Sequence, residues 1–101
     1  MPDSTTDRRW LADSNARLAW RHWGDAHFAF DPRSHQTHFL NTLAVEVVGL
    51  LNDRPQTLAE IHRALISRYD VDDDDEALLE AIQSSLTVLD RLGIVLSRRT
   101  L

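Results

Sequence analysis

The sequence predicts an α+β domain of winged-helix-like architecture, a three-stranded antiparallel sheet packed on three helices. Three observations carry that expectation. Residues 17–23 and 26–30 are strand-like runs on either side of Gly24-Asp25, and 36–40 (QTHFL) is a third run of β-branched and aromatic character. Behind the third run, Asn41 precedes a helical pattern that Asn52-Asp53-Arg54-Pro55 stops, and Thr57-Leu58-Ala59-Glu60 opens a second helix as a capping box. A leucine-rich helical stretch then closes at Gly93.

Bulk properties narrow the classes of function. A chain of 101 residues with 43% hydrophobic content forms one domain with a modest core. It contains no apolar run long enough to span a membrane, and its polar start at 1–7 is unlike a signal peptide. With no cysteine there is no disulfide, thiol nucleophile or thiolate metal site, which fits a cytoplasmic location. The net charge of −5 argues against duplex DNA as the main partner, because DNA-binding domains show a basic stripe.

In chain order, 1–7 reads as a mobile tail and 1–15 as a flexible or arm-like segment that includes Trp10 and Leu11. The domain proper is expected over 16–97, with 98–101 as a basic tail. Glycine at the first central position of a two-residue loop suits a type II′ hairpin turn, which sets Trp20 opposite Ala29 and Arg21 opposite Phe28. A longer turn at Asp31-Pro32-Arg33-Ser34-His35 leads to the third strand. A slip of one residue would turn every side chain over, so the pattern leaves open which of Phe28, Phe39 and Leu40 faces inward.

The first helix is expected over 42–51, capped by Asn41 and carrying Leu43, Val47, Leu50 and Leu51 at helical spacing. The second is expected over 58–69, with Leu58, Ile61, Leu65 and Tyr69 as its stripe. The acidic run at 71–76 reads as a solvated start to the third helix, capped by Asp73 or Asp74; it lacks the spaced ligands and bend glycine of a calcium loop. The third helix, 76–91, places Leu78, Ile82, Leu89 and Leu92 on one face and Leu79 and Leu86 on a neighbouring one. That width suits either a deep core position or a second face offered to a partner. Residues 94–96 pack back, as a short final strand.

Catalytic and metal chemistry find little footing. His22 and His27 are cross-strand neighbours in the proposed hairpin and His35 and His38 are spaced HxxH, but with His62 they lie on different elements. No serine sits in a nucleophile elbow, and three glycines form no phosphate loop. No enzyme activity and no cofactor are expected. Trp10, Trp20 and Trp23 are read as core or sheet-face packing, with a docking surface as the alternative.

From Ala26 to Val95 the chain resembles the PqqD-like peptide chaperones, or RiPP recognition elements. The resemblance lies in Phe30-Asp31-Pro32, Thr37-His38-Phe39-Leu40-Asn41, Thr57-Leu58-Ala59-Glu60-Ile61 and the closing Leu89-Asp90-Arg91-Leu92-Gly93-Ile94-Val95. It is nearest the branch found beside kinases resembling HPr kinase. Typical members carry Pro-Glu in the second turn and Asp-Gly after the first helix, where this chain has Asp31-Pro32 and Asn52-Asp53.

The resemblance implies a three-stranded sheet on three helices that binds the leader of a precursor peptide and delivers it to a modifying enzyme. The leader would add as a strand to Gln36, Thr37, His38, Phe39 and Leu40 and lie against the third helix at Leu79, Gln83 and Leu86. The expected partners are therefore a precursor peptide or partner segment and a modifying enzyme or HPr-kinase-related protein. Neither nucleic acid nor membrane is expected as a partner, and the chain is expected to be a monomer or weak homodimer. The alternatives are a winged-helix DNA-binding regulator or a structural subunit of a larger complex.

Overall fold

The computed structural model describes residues 8–13, 16–71 and 76–99. Along the chain run β1 (Arg8–Ala12), β2 (Ala19–Trp23), β3 (Ala26–Asp31) and β4 (Gln36–Leu40). They are followed by α1 (Thr42–Asp53), β5 (Gln56–Thr57), α2 (Leu58–Tyr69), α3 (Glu76–Arg91) and β6 (Val95–Arg99). The strands form two antiparallel three-stranded sheets, ordered β2-β3-β4 and β5-β1-β6.

The first sheet is the expected meander. Gly24 at φ +62 begins the hairpin turn, and Trp20 pairs with Ala29 and Arg21 with Phe28. The register also settles the open question of faces. Leu40 and Ala29 are buried on the helix side, whereas Phe39 and Phe28 lie opposite each other on the alternate face, rings 5.5 Å apart edge to face.

The second sheet corrects the sequence reading, and winged-helix-like describes the result only loosely. Residues 8–12, expected as an arm, are the central strand of that sheet, paired to β6 from Arg8↔Arg99 to Ala12↔Val95. The same pairing carries β6 through Arg98 and Arg99, which were expected in a solvated tail. The expected mobile tail at 1–7 and the Asp73 or Asp74 cap lie outside the described residues.

Local chemistry sets the helix bounds. The Asn41 side chain accepts the Ala44 amide at 2.8 Å at the start of α1. The helix runs past residue 51 to Asp53 because the restriction imposed by Pro55 falls on Arg54, which is extended at φ −167, ψ 161. Thr57 and Glu60 complete the capping box of α2, with bonds of 3.2 and 3.0 Å. Gly93 at φ +77 reverses the chain after α3, where the Ile94 amide bonds the Leu89 carbonyl at 2.9 Å.

The core lies between the helices and the inner faces of both sheets. It is built from Ala29 and Leu40, Val47 and Leu51 of α1, Ile61 and Leu65 of α2, Ile82, Leu86 and Leu89 of α3, and Ile94 and Val95. Trp10 and Trp20 pack against its rim, so two of the tryptophans are structural, while Trp23 is 83% exposed. No helix among the described residues is long and apolar enough to cross a membrane.

Candidate functional site

β4 is an edge strand: β3 pairs along one side of it, and no strand among the described residues pairs along the other. An edge leaves a row of main-chain donors and acceptors for another strand to meet. Its five residues span about 17 Å at roughly 3.4 Å per residue.

An apolar groove of about 290 Å³ lies beside the Leu40 end of that edge. Phe39 and Leu40 form its β4 wall, Asn41, Leu43 and Ala44 the turn into α1, and Ala81, Ser84, Ser85 and Val88 its α3 wall. Cavities for drug-sized molecules run from about 300 to 1,000 Å³ and enclose their ligand. An open groove at the bottom of that range suits individual side chains of a segment lying along β4. Two of the lining residues are apolar and exposed, Phe39 at 66% and Val88 at 46%.

The groove has small residues where α3 faces β4. Ala81, Ser84, Ser85 and Val88 fall at i, i+3, i+4 and i+7, so a low stripe runs down this side of α3. The sequence reading passed over that stripe in favour of the leucines.

At the other end of β4 a second, more polar cleft is lined by Asp31, Arg33, Ser34, Gln36, His38, Arg91, Leu92 and Gly93. Asp31 is buried here and receives the Arg33 amide at 2.9 Å and its guanidinium at 2.9 and 3.1 Å. The side-chain hydrogen bond from Arg33 holds the Asp31 carboxyl below the ordinary carboxylate value.

The β4 residues singled out in the sequence thus sit together, with Gln36 and His38 at the polar cleft, Phe39 and Leu40 at the apolar groove, and Thr37 exposed between. The α3 residues divide. Gln83 is exposed and lines a shallow depression with Glu80, Ser84, Thr87 and Val88, and Leu79 is half-buried outside the groove lining. Leu86 is 2% exposed in the core, so it offers no docking face; it follows Ile82 by one turn and belongs to the same inward stripe as Ile82 and Leu89.

The histidines form no larger constellation. His22 and His27 face each other across the hairpin with Nδ1 atoms 2.7 Å apart, and His27 Nε2 lies 3.1 Å from the Thr42 hydroxyl. Among the described residues no group of three or more His, Cys, Asp or Glu side chains converges to hold a metal ion.

Residues 26–95 match the family model described as coenzyme PQQ synthesis protein D (PqqD). The fold is also similar to the solution NMR structure of the PqqD truncation of Methylobacterium extorquens PqqCD, described as a functional, stand-alone RiPP recognition element. That similarity has a TM-score of 0.65 at 22% identity and covers 87% of this chain and 88% of that one. Among curated proteins none matches this chain.

Proposed function

The chain belongs to the PqqD family, and from that premise we propose that it is a peptide-recognition element of RiPP biosynthesis that captures its client by strand addition at β4. The observation that carries the reading is the unpaired β4 edge lying directly beside an apolar groove. Main-chain bonds to an edge supply affinity irrespective of sequence, and pockets that receive alternate side chains supply selection. A client segment would set an apolar side chain between Phe39 and Val88, and a polar or acidic one toward Arg91 at the far end.

The domain itself contributes no chemistry in this reading. It holds the segment extended and presents it to a modifying enzyme, with an HPr-kinase-related protein as the candidate suggested by the closer resemblance. The working surface comprises Gln36, Thr37, His38, Phe39 and Leu40 of β4 with Ala81, Ser84, Ser85 and Val88 of α3.

The test is capture from the native cell extract with the tagged chain, identified by mass spectrometry, beside Thr37→Pro and His38→Pro variants. Successive residues of an edge strand direct their amides to opposite sides, so one of the two prolines removes an outward donor. Circular dichroism confirms that each variant is folded. Loss of a captured peptide with one folded proline variant supports strand addition at β4. Equal capture by parent and both folded variants removes β4 as the site.

A further inference from the structure

The outer face of the second sheet pairs arginine with arginine. Residues directly opposite in antiparallel strands share a face. Arg9 lies opposite Arg98, and Leu11 lies opposite Leu96 two residues along. Trp10 and Ala12 pack against the core and Val95 is buried, which places Arg9, Leu11, Leu96 and Arg98 on the face turned away from it. Leu96 is 42% exposed, and Arg9 and Arg98 are both exposed.

Like charges directly opposite each other weaken a strand pair unless an anion lies over them. The carboxylate that meets Arg9 is Glu60, and its oxygens are already shared. Oε1 accepts Arg9 Nη1 at 3.1 Å and the Thr57 amide at 3.0 Å, while Oε2 accepts Arg54 Nη1 at 3.4 Å. Among the described residues no ion pair engages Arg98. Among the described residues, a chain of net charge −5 therefore carries a local cationic surplus here, next to an exposed leucine. β6 is also an edge strand, with β1 on one side and no strand among the described residues on the other.

We propose that the outer edge and face of β6 dock an extended acidic segment of a partner protein, separately from the β4 groove. Side chains of an added strand alternate between faces. A segment of pattern acidic-x-apolar would therefore place a carboxylate against Arg98 and an apolar side chain against Leu96, with Arg9 and Leu11 one strand further in on the same face. Charge complementarity selects an acidic partner, and the adjoining leucine pair selects protein over nucleic acid.

The experiment titrates the isotopically labelled full chain with a short peptide of repeating Glu-Thr-Leu-Thr units and follows amide shifts by NMR. The expected result is shifts along β1 and β6 but not β4, with affinity falling about tenfold or more in Arg98→Glu and partly in Arg98→Gln. Arg98→Glu also removes a like-charge pair, so it should retain or raise Tm, which keeps loss of binding separate from loss of fold. A block peptide of the same composition should bind more weakly. Equal binding of the block peptide, an unchanged Arg98→Glu, shifts confined to β4, tighter binding of a single-stranded oligonucleotide, or self-association through β6 without peptide binding would each overturn the proposal.

Discussion

Arg33 Nη2 stands 2.9 Å from the buried Asp31 Oδ2 and donates as well to the Gly93 carbonyl at 2.9 Å. Through Nη1 the same guanidinium reaches Asp13 Oδ2 at 3.1 Å. One side chain thus joins the β3–β4 turn, the segment after β1 and the turn between α3 and β6. Those segments are far apart in sequence, and together they fix where β4 begins relative to the last turn of α3. The planar guanidinium suits the task because its donors leave in fixed, divergent directions.

Arg33→Ala should therefore lower Tm by more than Arg54→Ala, whose partner Glu60 keeps its bonds to Thr57 and Arg9. The pH dependence gives a sharper test. Asp31 has a folded-state pKa below its unfolded value, chiefly through the side-chain hydrogen bond from Arg33. The unfolded chain then binds more protons in the acid range, so this contribution is present above the ordinary carboxylate value and fades as pH falls through the lowered one. Thermal melts from neutral pH downward should show a shallower acid decline in Arg33→Ala than in the parent. A residual decline is expected from Glu60, which is lowered mainly by its bond from the Thr57 amide. An identical acid limb in the variant would remove the pair from the stability of the fold.

Gly49→Ala should stabilise the chain. Gly49 is exposed in the interior of α1, and a Cβ built there meets nothing within 4 Å. Glycine inside a helix costs about 0.5–1 kcal/mol relative to alanine. A rise in Tm of roughly 2–8 °C follows for a domain of this size. A fall in Tm on differential scanning would show that close approach or flexibility at this turn of α1 matters.

The parts of this fold that local chemistry decides were readable in the sequence. Asn41, the Thr57 and Glu60 box and Gly93 bound their helices through bonds to residues a few positions away. The Gly24 turn likewise fixed the hairpin register. β1 was hidden because its longest pairing is with β6, at the opposite end of the chain, and Arg-Arg-Trp-Leu-Ala alternates too briefly to announce a strand. β5, at two residues, is shorter than any pattern. In the candidate site, β4 was legible from its composition, but the α3 wall was not. Alternate leucine faces on a helix are assigned only when its neighbours are known, and α3 packs against both α1 and α2.

Leu86 makes that last point measurable. Its side chain is enclosed with Ile82 and Leu89 in the core. Leu86→Ala should cost about 2–5 kcal/mol, as buried leucine truncations do. Denaturant unfolding would show this as a lower midpoint with an unchanged slope. If instead stability holds while client binding is lost, Leu86 lines the recognition surface and the core assignment fails.

The groove itself is tested by filling it and by trimming its lining. Ser84 sits on the α3 wall facing Phe39, Leu40 and Leu43, so Ser84→Trp should occupy the space that a client side chain needs. Phe39→Ala removes an exposed ring whose contact within the chain is the edge-to-face packing on Phe28, so the fold should survive its loss. Aromatic anchors at interfaces commonly carry more than 1 kcal/mol. Each variant should thus weaken the captured peptide by about tenfold or more in fluorescence anisotropy, since tenfold corresponds to about 1.4 kcal/mol. Gln83→Ala, which lies on the exposed side of α3 beyond the groove lining, should leave affinity unchanged. The ordering matters more than any single value. Loss with Ser84→Trp and Phe39→Ala but not with Gln83→Ala puts the client between β4 and the small-residue stripe of α3. Loss with Gln83→Ala alone would move it around the helix, away from the β4 edge.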